Sequence, residues 1–227
     1  MNQEQLQKWE DYCLAEKDRI RSVLLEKLSS FISSVTALDK SQYEEWVYEL
    51  SRNIVDKEES FPIRVPLFEK VIFPILFEGY KIGKPDCARW LAGFDQLIYK
   101  SKLAKESLGK EFTQAHLLEN ALRHDPQDKL AKRKLVYTLA SRLEYVIHEV
   151  PWGVLWDMNG ANADQCELLK DELAEFISLA KDCGLETNYE DLITECQLHF
   201  NEYQSYLREC DKWETYEAYL LSRGIHA

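Results

Sequence analysis

Asn162-Ala-Asp-Gln165-Cys-Glu-Leu-Leu-Lys-Asp-Glu-Leu-Ala-Glu-Phe-Ile-Ser-Leu-Ala-Lys-Asp-Cys-Gly184-Leu185 reads as one helix with both ends specified. Asn162 with Gln165 three residues on forms a capping box, in which two side chains satisfy two orphaned backbone N–H groups reciprocally. Gly184 supplies the left-handed residue that closes a helix, and Leu185 stands where a Schellman contact packs. Between the caps, Asp164, Glu167, Asp171 and Glu175 fall three or four residues apart. Helical geometry places them along one face, off the apolar stripe.

The same period runs through most of the chain. Leu6, Trp9, Cys13, Ile20, Val23, Leu24, Leu28, Phe31 and Val35 predict an amphipathic helix over 3–36. Ser41 with Glu44 predicts a capping box opening a second helix that carries Tyr43, Trp46, Val47, Leu50 and Ile54. Pro62 and Pro66 restrict the residues before them and exclude regular helix over 56–66. The apolar stretch 67–80 contains Pro74, which predicts a buried, kinked helix ending near Gly79. Pro85 suits the first turn of a helix over 85–102, and Gly109 separates that helix from 111–124. Asp125 and Pro126 make a junction to a helix that Pro151 stops. Asn188 opens a last helix reaching Ser222, with the seam Tyr189, Leu192, Cys196, His199, Tyr203, Leu207, Cys210, Trp213 and Leu220. No segment alternates like a strand. The expected fold is all-α, with about eight helices in antiparallel pairs, α-solenoid-like or an irregular bundle, and a long C-terminal helix. The expected domain is single, 1–227, subdivided at most into a helical hairpin over 1–60 and a repeat-like body over 61–227.

Composition narrows the function classes. The 227 residues are 45% apolar and 12% aromatic, enough to bury a core without disulfide or metal. No apolar run approaches the roughly 20 residues of a membrane-spanning helix. The polar start Met-Asn-Gln-Glu reads as no signal peptide. Six cysteines within helical stripes read as free thiols of a reducing cytoplasm. The net charge of −12 disfavours nucleic acid, which calls for a basic surface. Its distribution is uneven. Residues 1–143 carry 23 Lys+Arg against 22 Asp+Glu, whereas residues 144–227 carry 5 against 18. Such asymmetry steers a basic partner over long range.

Catalytic and metal motifs are missing from the sequence. Cys196-x-x-His199 has ligand-like spacing, but no second Cys-x-x-Cys or His-x-x-x-His completes a site, so both read as core. There is no Gly-x-Ser-x-Gly and no glycine-rich phosphate loop, so no catalytic residue, metal or cofactor is expected. What remains is the acidic spacing. Glu195, Glu202 and Glu209 recur every seven residues and would form a second ridge beside Asp164, Glu167, Asp171 and Glu175. Trp152 and Trp156 lie in the loop just before the acidic helices, as aromatic anchors of an interface or as plugs of the core.

Ala115-His-Leu-Leu118-Glu-Asn-Ala121-Leu-Arg-His-Asp-Pro126 resembles the second helix and turn of a tetratricopeptide repeat at Leu118, Ala121 and Pro126. Lys132, Val136 and Leu139 depart from that motif where the next unit would begin. The resemblance spans 111–150 and implies a helical array that binds proteins or peptides. The pattern Pro66-Leu-Phe, Phe73-Pro, Gly79 and Ala88-Arg-Trp-Leu-Ala looks like a group of uncharacterised bacterial proteins.

Together these readings predict a non-catalytic acidic module that docks a basic protein through the two ridges and the tryptophan loop. One concrete version is a bacterial immunity protein that occludes a basic nuclease toxin, with charge steering the encounter. The alternatives are a homo-oligomeric scaffold built on the last helix, and an enzyme with a helical active site outside known motifs.

Overall fold

The computed structural model describes residues 1–109, 112–150, 155 and 160–225, and among these every regular element is helical. The chain divides into two compact units, Met1–Ala131 and Lys132–Ala227.

In the first unit, α1 (Gln3–Asp18) and α2 (Arg21–Thr36) pack as a hairpin. The single helix expected over 3–36 is broken at Arg19, which adopts φ 57. The reversal brings Trp9 within 5.3 Å of Phe31 between ring centroids and leaves Leu6, Ile20 and Val23 exposed. The capping box falls at Asp39 and Gln42 rather than at Ser41 and Glu44. Asp39 N–H donates to the Gln42 amide oxygen at 3.0 Å, one short turn before α3 (Glu44–Val55).

Pro74 is accommodated without ending its helix. α4 (Val65–Leu67) runs into a wider π turn at Phe68–Ile72, where Phe73 N–H reaches back five residues to Phe68 C=O, and then into α5 (Phe73–Lys81). A proline lacks the N–H of a regular turn and its ring crowds the preceding one, and the wider turn relieves both. Phe68, Val71, Ile72, Ile75 and Leu76 are all buried.

The helix expected over 85–102 divides into α6 (Pro85–Gly93), α7 (Asp95–Lys100) and α8 (Lys102–Leu108). Buried Ser101 enforces the second break. Its hydroxyl accepts from Ala104 N–H at 3.1 Å and donates to Glu69 at 2.6 Å. α9 (Gln114–His124) packs along α6. Two glycines permit close helix approach. A Cβ at Gly79 would stand 2.3 Å from Cys87 Sγ, and one at Gly93 2.5 Å from a Val55 methyl.

Arg89 ties these helices together from a buried position. Its guanidinium donates to Asp56 at 3.1 Å, to Asp128 at 3.0 Å and to Asp86. Asp56 also accepts the Trp90 indole N–H at 2.9 Å. Asp128 turns its other oxygen to Leu130 and Ala131 N–H, both at 3.0 Å, and so caps α10 (Lys129–Ile147).

In the second unit, α11 (Ala163–Asp182) has the ends read from the sequence. Asn162 and Gln165 exchange backbone-to-side-chain bonds of 2.9 Å. Gly184 takes φ 67 while Leu185 N–H bonds Ala180 C=O at 2.8 Å. α12 (Glu190–Arg208) packs along α11. The long C-terminal helix is not formed. The chain leaves helix at Glu209, passes a 3₁₀ turn at Cys210–Lys212, and restarts at Thr215 as α13 (Tyr216–Ser222). The fold-back sets Tyr216 5.0 Å from Tyr203 and 5.4 Å from Tyr206, rings that an unbroken helix would leave uncovered. Cys210 and Trp213 accordingly leave the predicted seam.

Candidate functional site

α11 presents two different sets of carboxylates. Glu172 pairs with Arg142, and Asp182 lies 3.7 Å from Lys132, both partners coming from α10. Glu167 is engaged across the α11–α12 seam, where buried Gln204 donates to it at 2.6 Å and to Ala163 C=O at 3.2 Å. The Gln204 amide oxygen accepts from Lys170 Nζ at 2.7 Å. The hydrogen bond from Gln204, then the charge of Lys170, hold the Glu167 carboxyl below its ordinary range.

Asp164, Asp171 and Glu175 are exposed on the outer face, and Asp164 and Asp171 form no ion pair among the described residues. Leu168 stands between them, four residues after Asp164 and three before Asp171, with 61% of its surface exposed. The buried residues of this helix are Cys166, Leu169, Leu173, Phe176 and Ala180, so Leu168 lies off the core phase. It was readable as an outlier in the sequence but was not singled out.

The second predicted ridge is not continuous. Glu195 is exposed, with no ion pair among the described residues, and it borders a cleft against α10. Glu202 is half-buried, accepts the Tyr219 hydroxyl at 3.0 Å and lies 3.8 Å from Arg223. Glu209 lies beyond the last turn of α12 and pairs with Lys212 at 3.3 Å. The seven-residue spacing therefore does not give three equivalent side chains. Trp152 and Trp156 lie outside the described residues.

Cys196 and His199 are both buried, as core residues. Burial pushes the Cys196 thiol up to about 12 and holds the imidazole of His199 below its ordinary value, with Tyr216 Oη 3.1 Å from Nδ1. Among the described residues no cluster of three His, Cys, Asp or Glu side chains has metal-binding geometry, and no helix is long and apolar enough to cross a membrane. All six cysteines are unbridged. No protein-family model matches the chain, and no curated protein or solved structure is detectably similar to it.

Proposed function

We propose that the second unit is a non-catalytic docking module for a basic protein, with the outer face of α11 as its contact surface. The observation that carries this reading is Leu168, exposed on a helix face between Asp164 and Asp171, which lack counter-ions among the described residues. An apolar anchor with an acidic surround suits a helix or loop that offers an apolar contact flanked by Lys or Arg. The cations Lys132, Arg142 and Lys170 engage Asp182, Glu172 and Glu167 and leave the outer face negative.

A bacterial immunity protein that neutralises a nuclease toxin is the concrete version of this proposal. It is supported by the acidity of residues 144–227 and by the basic surface that nucleases need. The repeat-like, solenoid reading of 111–150 belongs to the same proposal, supported by the α6–α9 pairing and the turn at Asp125–Asp128. So does a cytoplasmic location, supported by the unbridged cysteines.

The test is capture from the native host at low and moderate salt, with wild type beside the Asp164→Lys/Asp171→Lys double variant. The expected result is one basic protein held by wild type, released as salt rises, and lost from the variant mainly through slower association. Equal capture by both proteins removes the α11 face as the contact surface.

A further inference from the structure

α10 and α12 border a cleft of about 410 Å³ within the second unit, lined by Glu144, Ile147 and His148 on one side and Leu192 and Glu195 on the other. Ile147 is buried and Leu192 half-buried, so apolar carbon lies between the two acids. Neither Glu144 nor Glu195 forms an ion pair among the described residues. His148 does not neutralise them, because both of its ring nitrogens are engaged on its own segment. Nε2 lies 2.9 Å from the Glu149 carboxylate and Nδ1 2.5 Å from Tyr145 C=O. The imidazole also stacks on the Tyr145 ring, with centroids 5.0 Å apart and planes 27° apart.

Two carboxylates on opposite walls of a partly apolar cleft repel each other, and a cation placed between them removes that repulsion. We propose that this cleft receives an arginine side chain presented by a partner protein. The inference rests on the reading of the second unit as a docking module for a basic protein, and names the side chain that would anchor it.

Arginine fits the lining in three respects. Its aliphatic stem matches Ile147 and Leu192. Its planar fork of N–H donors meets carboxylates on two sides, which an ammonium does as a point charge only. Its flat face stacks on aromatic and imidazole rings, here the pair His148 and Tyr145. The volume suits one side chain and its flanking backbone rather than a whole helix.

The experiment titrates N-acetylarginine methylamide into the full chain and follows the Ile147 and Leu192 methyl signals and the His148 ring signals by NMR. Lysine and norleucine analogues are titrated in parallel. The expected result is a saturable response at these three residues, with arginine bound at least about tenfold tighter than norleucine. Glu144→Gln/Glu195→Gln should weaken arginine and leave norleucine unchanged, with circular dichroism and Tm as wild type. Equal binding of norleucine, equal binding of lysine, or arginine affinity unmoved by the double variant each overturn the proposal. Arginine binding here, together with capture that ignores Asp164 and Asp171, overturns the α11 surface and retains the cleft. Capture that depends on those residues, without arginine binding here, does the reverse.

Discussion

Arg89 holds its guanidinium between Asp56 and Asp128, 3.1 Å from the first and 3.0 Å from the second, with all three side chains nearly closed to solvent. Two buried carboxylates thus depend on one cation, and burial alone already raises the Asp56 carboxyl above its ordinary value. Arg89→Met leaves both acids without a counter-charge and should destabilise the protein by about 3–5 kcal/mol in urea unfolding. Asp128→Asn retains a side-chain oxygen for capping α10 and should cost less. An equal loss from both variants would mean that the cap, not the charge, carries the effect.

Gly79 and Cys87 predict a reciprocal pair of substitutions. Ala at position 79 would set its methyl 2.3 Å from Cys87 Sγ. Gly79→Ala should cost about 1–3 kcal/mol by overpacking. Adding Cys87→Ala removes the sulfur and should recover part of that loss in the thermal midpoint. A double variant no more stable than Gly79→Ala would show that the strain lies elsewhere.

His199 predicts an acid sensitivity with a definite sign. Desolvation lowers its folded-state pKa, so the folded protein resists a proton that the unfolded chain accepts near pH 6.5. Its contribution is full above that pH and declines as pH falls below it. The stability difference between wild type and His199→Gln, measured by chemical unfolding from pH 7.5 to 5, should move against wild type on acidification. A difference independent of pH would show that the imidazole stays neutral throughout.

Leu168 separates contact from stability. Leu168→Ala removes an exposed side chain and should leave unfolding within about 0.5 kcal/mol of wild type. If the outer face of α11 holds a basic protein, the same change should speed dissociation, read by surface plasmon resonance on the captured partner.

The parts of the fold that depend on local chemistry were readable in the sequence. Asn162, Gln165, Gly184 and Leu185 mark α11 because caps and left-handed closures are written within a few residues. The reversals at Arg19, Ser101 and Glu209 were not readable, because at each the helical period continues across the break. Tertiary burial decides them, with Trp9 meeting Phe31, Ser101 meeting Glu69, and Tyr216 meeting Tyr203. The contact surface divides the same way. Asp164 and Asp171 follow from spacing on one helix. The tie of Glu202 to Tyr219, and the cleft that joins Glu144 to Glu195, depend on which helices become neighbours.

The π turn before Pro74 leaves that helix with one residue more per turn than its neighbours. Each residue advances an α-helix by about 100°, so removing one residue from 68–72 would wind the segment tighter and swing everything after it around the axis. Ile75 and Leu76 would rotate out of the core, and Gly79 would turn away from Cys87. Along this stretch, substitutions of similar size and polarity are tolerable changes, whereas a single-codon deletion scrambles the packing of a whole helix.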